Sequence, residues 1–221
     1  MVLEQVAFDI ETTGFGVDDV VTTVGFAVPL GVRVFVQTDG RAAPGVPGAV
    51  QDRVESHVQV STHESEAALF EAVASFTGKR LRDADVLLVG FNAELWKSGF
   101  DLPFLRTRLA RVGVEWPFRD VPYADLLPVV TNRFNTTGGD GESRSDLAGV
   151  YGTLCDGRYN ELDPFMESGE AVTAFEDARF TDLVVHNVAD VLRTRQLGRV
   201  AEEYCSKSDF KLKSLTATTH E

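Results

Sequence analysis

Several things are scarce in this chain, and each scarcity narrows what it can be. There are two cysteines in 221 residues, Cys155 and Cys205. They lie far apart and fit no metal-ligand spacing, which excludes a disulfide scaffold and a cysteine-based zinc site and leaves two reduced thiols. The four histidines, His57, His63, His186 and His220, form no sequence cluster. No apolar run approaches the roughly 20 residues of a membrane helix. The N-terminus leads straight into a strand-like segment, so neither a membrane span nor a signal peptide is expected. No internal repeat is visible. Lysine is rare, five residues against sixteen arginines, and Ile10 is the sole isoleucine. With a net charge of −13, the chain also lacks the positive surplus by which most nucleic-acid binders hold a polyanion. What remains is the length and apolar content of one α/β domain with an ordinary core.

Acid is what the sequence has in plenty, and some of it is placed with regularity. The segment Val2–Phe8 alternates as a strand and runs into Asp9-Ile10-Glu11-Thr12-Thr13-Gly14. On a strand, residues i and i+2 share a face, so Asp9 and Glu11 point together while Ile10 points to the core. Two carboxylates this close repel unless a cation lies between them, and an oxygen-only ligand set suits Mg²⁺ or Mn²⁺. A second apolar strand, Asp85–Val89, precedes Gly99-Phe100-Asp101-Leu102-Pro103-Phe104-Leu105. There Asp101 opens a helix whose apolar stripe is Phe104, Leu105 and Leu109. A third carboxylate motif lies in the helical stretch Leu183–Thr194, which carries His186 and Asp190. Four residues on a helix turn through roughly 400°, so these two side chains share a face.

In their order and contexts, Asp9, Glu11, Asp101 and Asp190 resemble the DEDD superfamily of 3′–5′ exonucleases, over residues from about 2 to about 197. The resemblance implies an RNase H-like α/β fold, with a mixed five-stranded sheet of three antiparallel and then parallel strands flanked by helices. The domain would span 1–200, with 201–221 as a C-terminal tail. It implies two Mg²⁺ or Mn²⁺ ions held by Asp9, Glu11, Asp101 and Asp190, with Asp9 shared between them. The expected activity is hydrolysis of phosphodiester bonds at the 3′ end of single-stranded DNA or RNA, releasing nucleoside 5′-monophosphates. The surroundings of Asp190 are most similar to the subgroup found in family B DNA polymerase proofreading domains, with His186 where that subgroup has tyrosine. An imidazole there can orient or deprotonate water near neutral pH. Thr12, Asn92 and Phe104 or Leu105 fall where relatives contact the terminal nucleotides, although Phe104 and Leu105 fit helix core better. Asn92 departs from the pattern, since it precedes Phe100 by eight residues where relatives have about four. Trp96 and Lys97, in that insertion, offer a stacking surface and a phosphate contact instead. Proofreading or repair would proceed in trans, with a polymerase or repair protein as partner and a cytoplasmic, non-membrane location. The alternative is a catalytically silent RNase H-like module that binds nucleic acid or protein.

The spread of acidic residues, with arginine over lysine and abundant valine and alanine, resembles cytoplasmic proteins of extreme halophiles. In molar salt the Debye length is about 3 Å, so surface repulsion hardly reaches a substrate. Elsewhere, Val20–Leu30 and Val32–Thr38 read as a hairpin turning at Pro29-Leu30-Gly31, and Asp39–Val60 as a long Gly/Pro/Ala-rich loop. Thr62-His63-Glu64-Ser65-Glu66 reads as the start of a helix with Leu69, Phe70, Val73 and Phe76 in the core. Asp125 reads as a helix cap, Asn135–Glu142 as a loop flanked by Arg133 and Arg144, and Ser145 as the next cap. Glu170–Gln196 reads as one long helical region. Lys207, Lys211 and Lys213 fall in the tail.

Overall fold

Alternation along β1 (Glu4–Thr12) divides the molecule into two cores. Val6, Phe8 and Ile10 enter one buried cluster and Ala7 the other, the face on which Asp9 and Glu11 also lie. This is the computed structural model of the chain, and it describes residues 3–82, 84–94, 99–167 and 169–216. Trp96, Lys97 and His220 lie outside the described residues. The hairpin of β2 (Val21–Val28) and β3 (Gly31–Gln37) forms as expected, antiparallel to β1 and to itself, turning at Pro29-Leu30. On the other side of β1, β5 (Val86–Gly90) and β6 (Pro122–Asp125) pair in parallel.

The sheet has seven strands among the described residues, not five. Its order is β4 (Val58–His63), β3, β2, β1, β5, β6 and β7 (Lys213–Ser214). The additional strands sit at the two edges, and both come from segments that read as irregular. Asp39–Val60 is not one long loop, because Val46 and Val50 bury one side of the short helix α1 (Val46–Gln51) and Val58 begins β4 (Val58–His63). Strand β4 lies parallel to β3. The segment 201–216 is likewise part of the fold. After a short 3₁₀ turn, Lys207–Phe210, the strand β7 (Lys213–Ser214) pairs with β6. Phe210 and Leu215 are buried, and the Trp116 indole donates to the Leu215 carbonyl at 2.9 Å.

Helices cover both faces. On the Phe8 side lie α2 (Glu66–Arg80) and α3 (Asp101–Val112), with Leu69, Phe70, Val73, Leu105 and Leu109 packed on the strands. The Ser65 side chain caps α2 by accepting from the Ala68 N–H, and Lys79 and Arg80 complement the helix dipole at its far end. On the Ala7 side lie α4 (Leu126–Arg133), α5 (Leu147–Leu154), α6 (Arg158–Leu162), α7 (Gly169–Glu176) and α8 (Phe180–Tyr204). Asp146, not Ser145, caps α5 by accepting from Gly149 N–H. The single helix expected over Glu170–Gln196 is broken at Ala178, which has φ 57, so α7 and α8 pack as separate rods. Helix α8 is 25 residues long and runs across β1 and β2 with most of one face buried. Gly25 makes its close approach possible: a Cβ there would fall 2.0 Å from the Asn187 side-chain oxygen. No helix of the described residues is long and apolar enough to cross a membrane.

Candidate functional site

The site forms where the end of β1 meets the middle of α8 and the first turn of α3. Strand periodicity puts Asp9 and Glu11 toward α8. Helical periodicity brings His186 and Asp190, one turn apart, back toward them. His186 Nε2 lies 3.7 Å from Glu11 Oε1 and 3.8 Å from Asp190 Oδ2. One ligand atom from each of these three residues falls within 4.8 Å of the others. Asp9 and Asp101 stand outside that triad but within its field. The Asp9 carboxylate accepts the Asn187 side-chain N–H at 2.9 Å. Asp101 heads α3, whose Leu102 N–H is accepted by the Ala93 carbonyl at 2.9 Å.

The electrostatics follow from this crowding. Burial first, then Glu11, Asp190 and Asp101, hold the Asp9 carboxyl well above its usual range. Asp101 is likewise held up by burial and by Glu11, Asp125 and Asp190. Glu11 is pushed up to about 7 by burial, with His186 opposing and Asp190 adding. Burial lowers the His186 pKa, but Glu11, the bond to Asp163 and Asp190 outweigh it and push the ring up to about 10. Without a metal the facing carboxylates favour the protonated imidazole, and a divalent cation bound among them would release that proton, because a ligating ring nitrogen is neutral. Converging carboxylates with displaced pKa values mark a functional centre more often than a structural one. The donor set fits divalent cations: oxygens from two strand positions and two helices, with one imidazole nitrogen among them.

The shift at Glu11 has a stability consequence. Its carboxyl titrates near 4.5 in a free chain and near 7 in the fold, so the folded state holds a proton that the unfolded state has released. The part of the stability that Glu11 governs is full below pH 4.5 and declines as pH rises through 7. In EDTA the loss by pH 8 should be about 3 kcal/mol. Urea unfolding across that range should show the decline, and Glu11→Gln should flatten it. Equal slopes for the two proteins would remove the basis for it.

Two residues that no sequence pattern singled out complete the network. Asp163, in the turn after α6, accepts from His186 Nδ1 at 2.8 Å through one oxygen and from Arg193 Nη1 at 2.8 Å through the other. The same Arg193 nitrogen also pairs with Asp190 Oδ1. Arg193 is buried at i+3 from Asp190 and clamps two carboxylates that flank His186. Phe165, just after Asp163, tilts on the His186 ring with centroids 5.1 Å apart.

The expected substrate residues divide. Thr12 closes a turn, its hydroxyl donating to the Gly14 carbonyl at 2.9 Å. Phe104 is buried core and packs on Phe100 at 4.7 Å. Asn92 takes a left-handed conformation, φ 57, and its backbone N–H is held by Asp125 Oδ1 at 2.9 Å. Asp125 also caps α4 through the Leu127 N–H at 3.0 Å, so one side chain starts a helix and fixes the loop beside Asp101. Of the scattered cations, Arg133 pairs with Asp209 at 2.6 Å, Lys213 pairs with Glu94 at 3.1 Å, and Arg144 pairs with Asp140. Next to Phe100, the neighbour of Asp101, an aromatic does face outward: Phe15, 85% exposed and edge-on to the Phe100 ring at 5.1 Å. Its loop is tied by Gly16 N–H to Asp19 at 2.7 Å and by Arg108 to the Val17 carbonyl at 3.0 Å. The signal for it lay in the sequence, an aromatic between two glycines directly after the carboxylate motif. In comparisons with known proteins, the chain matches no family model and no curated protein.

Proposed function

We propose that this chain is a metal-dependent 3′–5′ exonuclease of the DEDD kind on an RNase H-like fold, acting on single-stranded DNA or RNA ends. The observation that carries the reading is the meeting of Asp9, Glu11, Asp101, Asp190 and His186, from opposite ends of the sequence, at one end of β1. The inner strand order β3-β2-β1-β5-β6, with an antiparallel meander followed by two parallel strands, agrees with the fold that the resemblance implies.

Divalent ions bound by the carboxylates would polarise the scissile phosphate and supply a nucleophile at neutral pH. Asp9, Glu11, Asp101 and Asp190 would hold those ions. Asn187 fixes the Asp9 carboxylate and Arg193 fixes that of Asp190, so the oxygens are oriented before substrate arrives. Phe15, with Phe100 behind it, offers a ring face on which a terminal base can stack whatever its identity. Contacts of this type suit an acidic protein, because stacking does not depend on counterion release.

The test is Mn²⁺- or Mg²⁺-dependent degradation of 5′-labelled and 3′-labelled single-stranded DNA and RNA, at low and at molar KCl. A 5′-labelled ladder that shortens stepwise is expected. Cleavage of a circular substrate would move the assignment to an endonuclease, and binding without turnover would favour the silent module. Phe15→Ala should raise KM about tenfold, the worth of one stacked base, while leaving the melting temperature unchanged because the ring is exposed. An unchanged KM would take Phe15 out of the substrate path.

A further inference from the structure

We infer that His186 is itself a metal ligand, and that Glu11, His186 and Asp190 form a mixed oxygen and nitrogen site for a transition ion such as Mn²⁺, with Asp163 as the carboxylate that orients the histidine. This uses residues of the nuclease centre proposed above but does not depend on its reaction.

The geometry of the imidazole carries the argument. His186 is nine-tenths buried, and its Nε2 points between Glu11 and Asp190 at 3.7 and 3.8 Å, beyond hydrogen-bond reach of either. A buried ring nitrogen aimed into a gap between two carboxylates, and bonded to neither, is placed as a ligand. The opposite nitrogen is arranged accordingly. Nδ1 is bonded to Asp163 Oδ1 at 2.8 Å. A carboxylate on the far nitrogen is the usual partner of a metal-bound histidine, because it fixes the tautomer, fixes the ring plane and makes the ligating nitrogen more basic.

The support extends one step further out. Arg193 holds Asp163 Oδ2 at 2.8 Å and also pairs with Asp190 Oδ1. That leaves Asp190 Oδ2, the oxygen nearest Nε2, free of the arginine. Phe165 packs on the ring with centroids 5.1 Å apart.

Chemistry then sets the ion. Three carboxylates alone suit Mg²⁺, whereas replacing an oxygen by imidazole favours first-row transition ions. The site should therefore bind Mn²⁺ more tightly than Mg²⁺.

The decisive measurement is electron spin-echo envelope modulation on the full-length protein loaded with one equivalent of Mn²⁺, without nucleic acid. Modulation from a directly bound imidazole ¹⁴N is expected, and it should vanish in His186→Gln. By calorimetry, Asp163→Asn should weaken Mn²⁺ binding about 10- to 100-fold while changing Mg²⁺ binding far less. Bound Mn²⁺ with no ¹⁴N modulation in the unsubstituted protein, or no bound Mn²⁺ at all, would overturn the assignment; neither result depends on whether a variant folds. A nitrogen-ligated ion in a protein without nuclease activity would sustain the site and sink the exonuclease. Nuclease activity with a nitrogen-free ion would do the reverse.

Discussion

Asp9→Asn should abolish nucleotide release, by about a thousandfold or more, and at the same time raise the melting temperature in EDTA. Both effects come from the same charge. Asp9 is held far above its normal carboxyl range by burial and by three neighbouring acids, so ionising it within the fold costs free energy. Asparagine keeps the volume and still offers an oxygen to the Asn187 N–H now bonded at 2.9 Å. Removing the charge should therefore stabilise the fold at pH 8 and raise its melting temperature. Stabilisation of transition-state charge by a bound ion is worth several kcal/mol, and about 4 kcal/mol corresponds to three decades in rate. Adding Mn²⁺ should reverse the order of stability, because only the unsubstituted protein binds ions well enough to gain by mass action. Calorimetric melting with and without Mn²⁺, beside a timed 5′-label assay, reads both quantities. A variant that is active, or one less stable than its parent in EDTA, would show that the carboxylates do not form a strained cation site.

Arg108→Met should be the most damaging single change away from the site. Arg108 and Glu66 are both buried. The guanidinium donates to Glu66 through Nε at 3.0 and 3.2 Å and through Nη2 at 2.7 Å. Glu66 also accepts the Val21 N–H at 2.8 Å, and Arg108 reaches the Val17 carbonyl at 3.0 Å. Methionine fills the space but leaves a buried carboxylate with no cation. Breaking a buried pair from one side costs about 3–5 kcal/mol, so a fall of roughly 6–20 °C is expected. The double change Arg108→Met, Glu66→Gln should recover part of it, because the stranded charge is gone. If the single variant melts with the parent, the bridge is not holding α2, α3 and the Phe15 loop together. The loop makes the second readout useful, since KM should rise along with the loss of stability.

What could be read from sequence was whatever repeats with a secondary-structure period. Asp9 and Glu11 were legible through a period of two, and His186 and Asp190 through a helical turn. The hairpin was legible through Pro29-Leu30-Gly31 between two β-rich runs. Asp163 was not, because it stands in a turn 23 residues before His186 and no local pattern joins them. Arg193 was visible only as one more polar residue on a helix, since its two acids are identified by packing. Asp39–Val60 misled because glycine, proline and alanine hid four buried valines, Val46, Val50, Val54 and Val58, that anchor a short helix and a strand. Ala178 gave no warning that a helix would break there, since alanine rarely takes a positive φ and is held in it by its surroundings. The edge strand β7 is two residues long, too short for any alternation to register.

The bond between Asn187 and Asp9 joins residues 178 positions apart, and that distance sets a clock. A ribosome adding about 5–20 residues per second exposes the carboxylates of β1 roughly 10–35 s before α8 can reach them. Throughout that interval the nascent chain carries Asp9 and Glu11 without His186 or Asp190, so the cluster of acids and imidazole is not yet assembled. Chains ending early stay in the same condition. On the exonuclease reading proposed above, activity arises only when the last long helix docks.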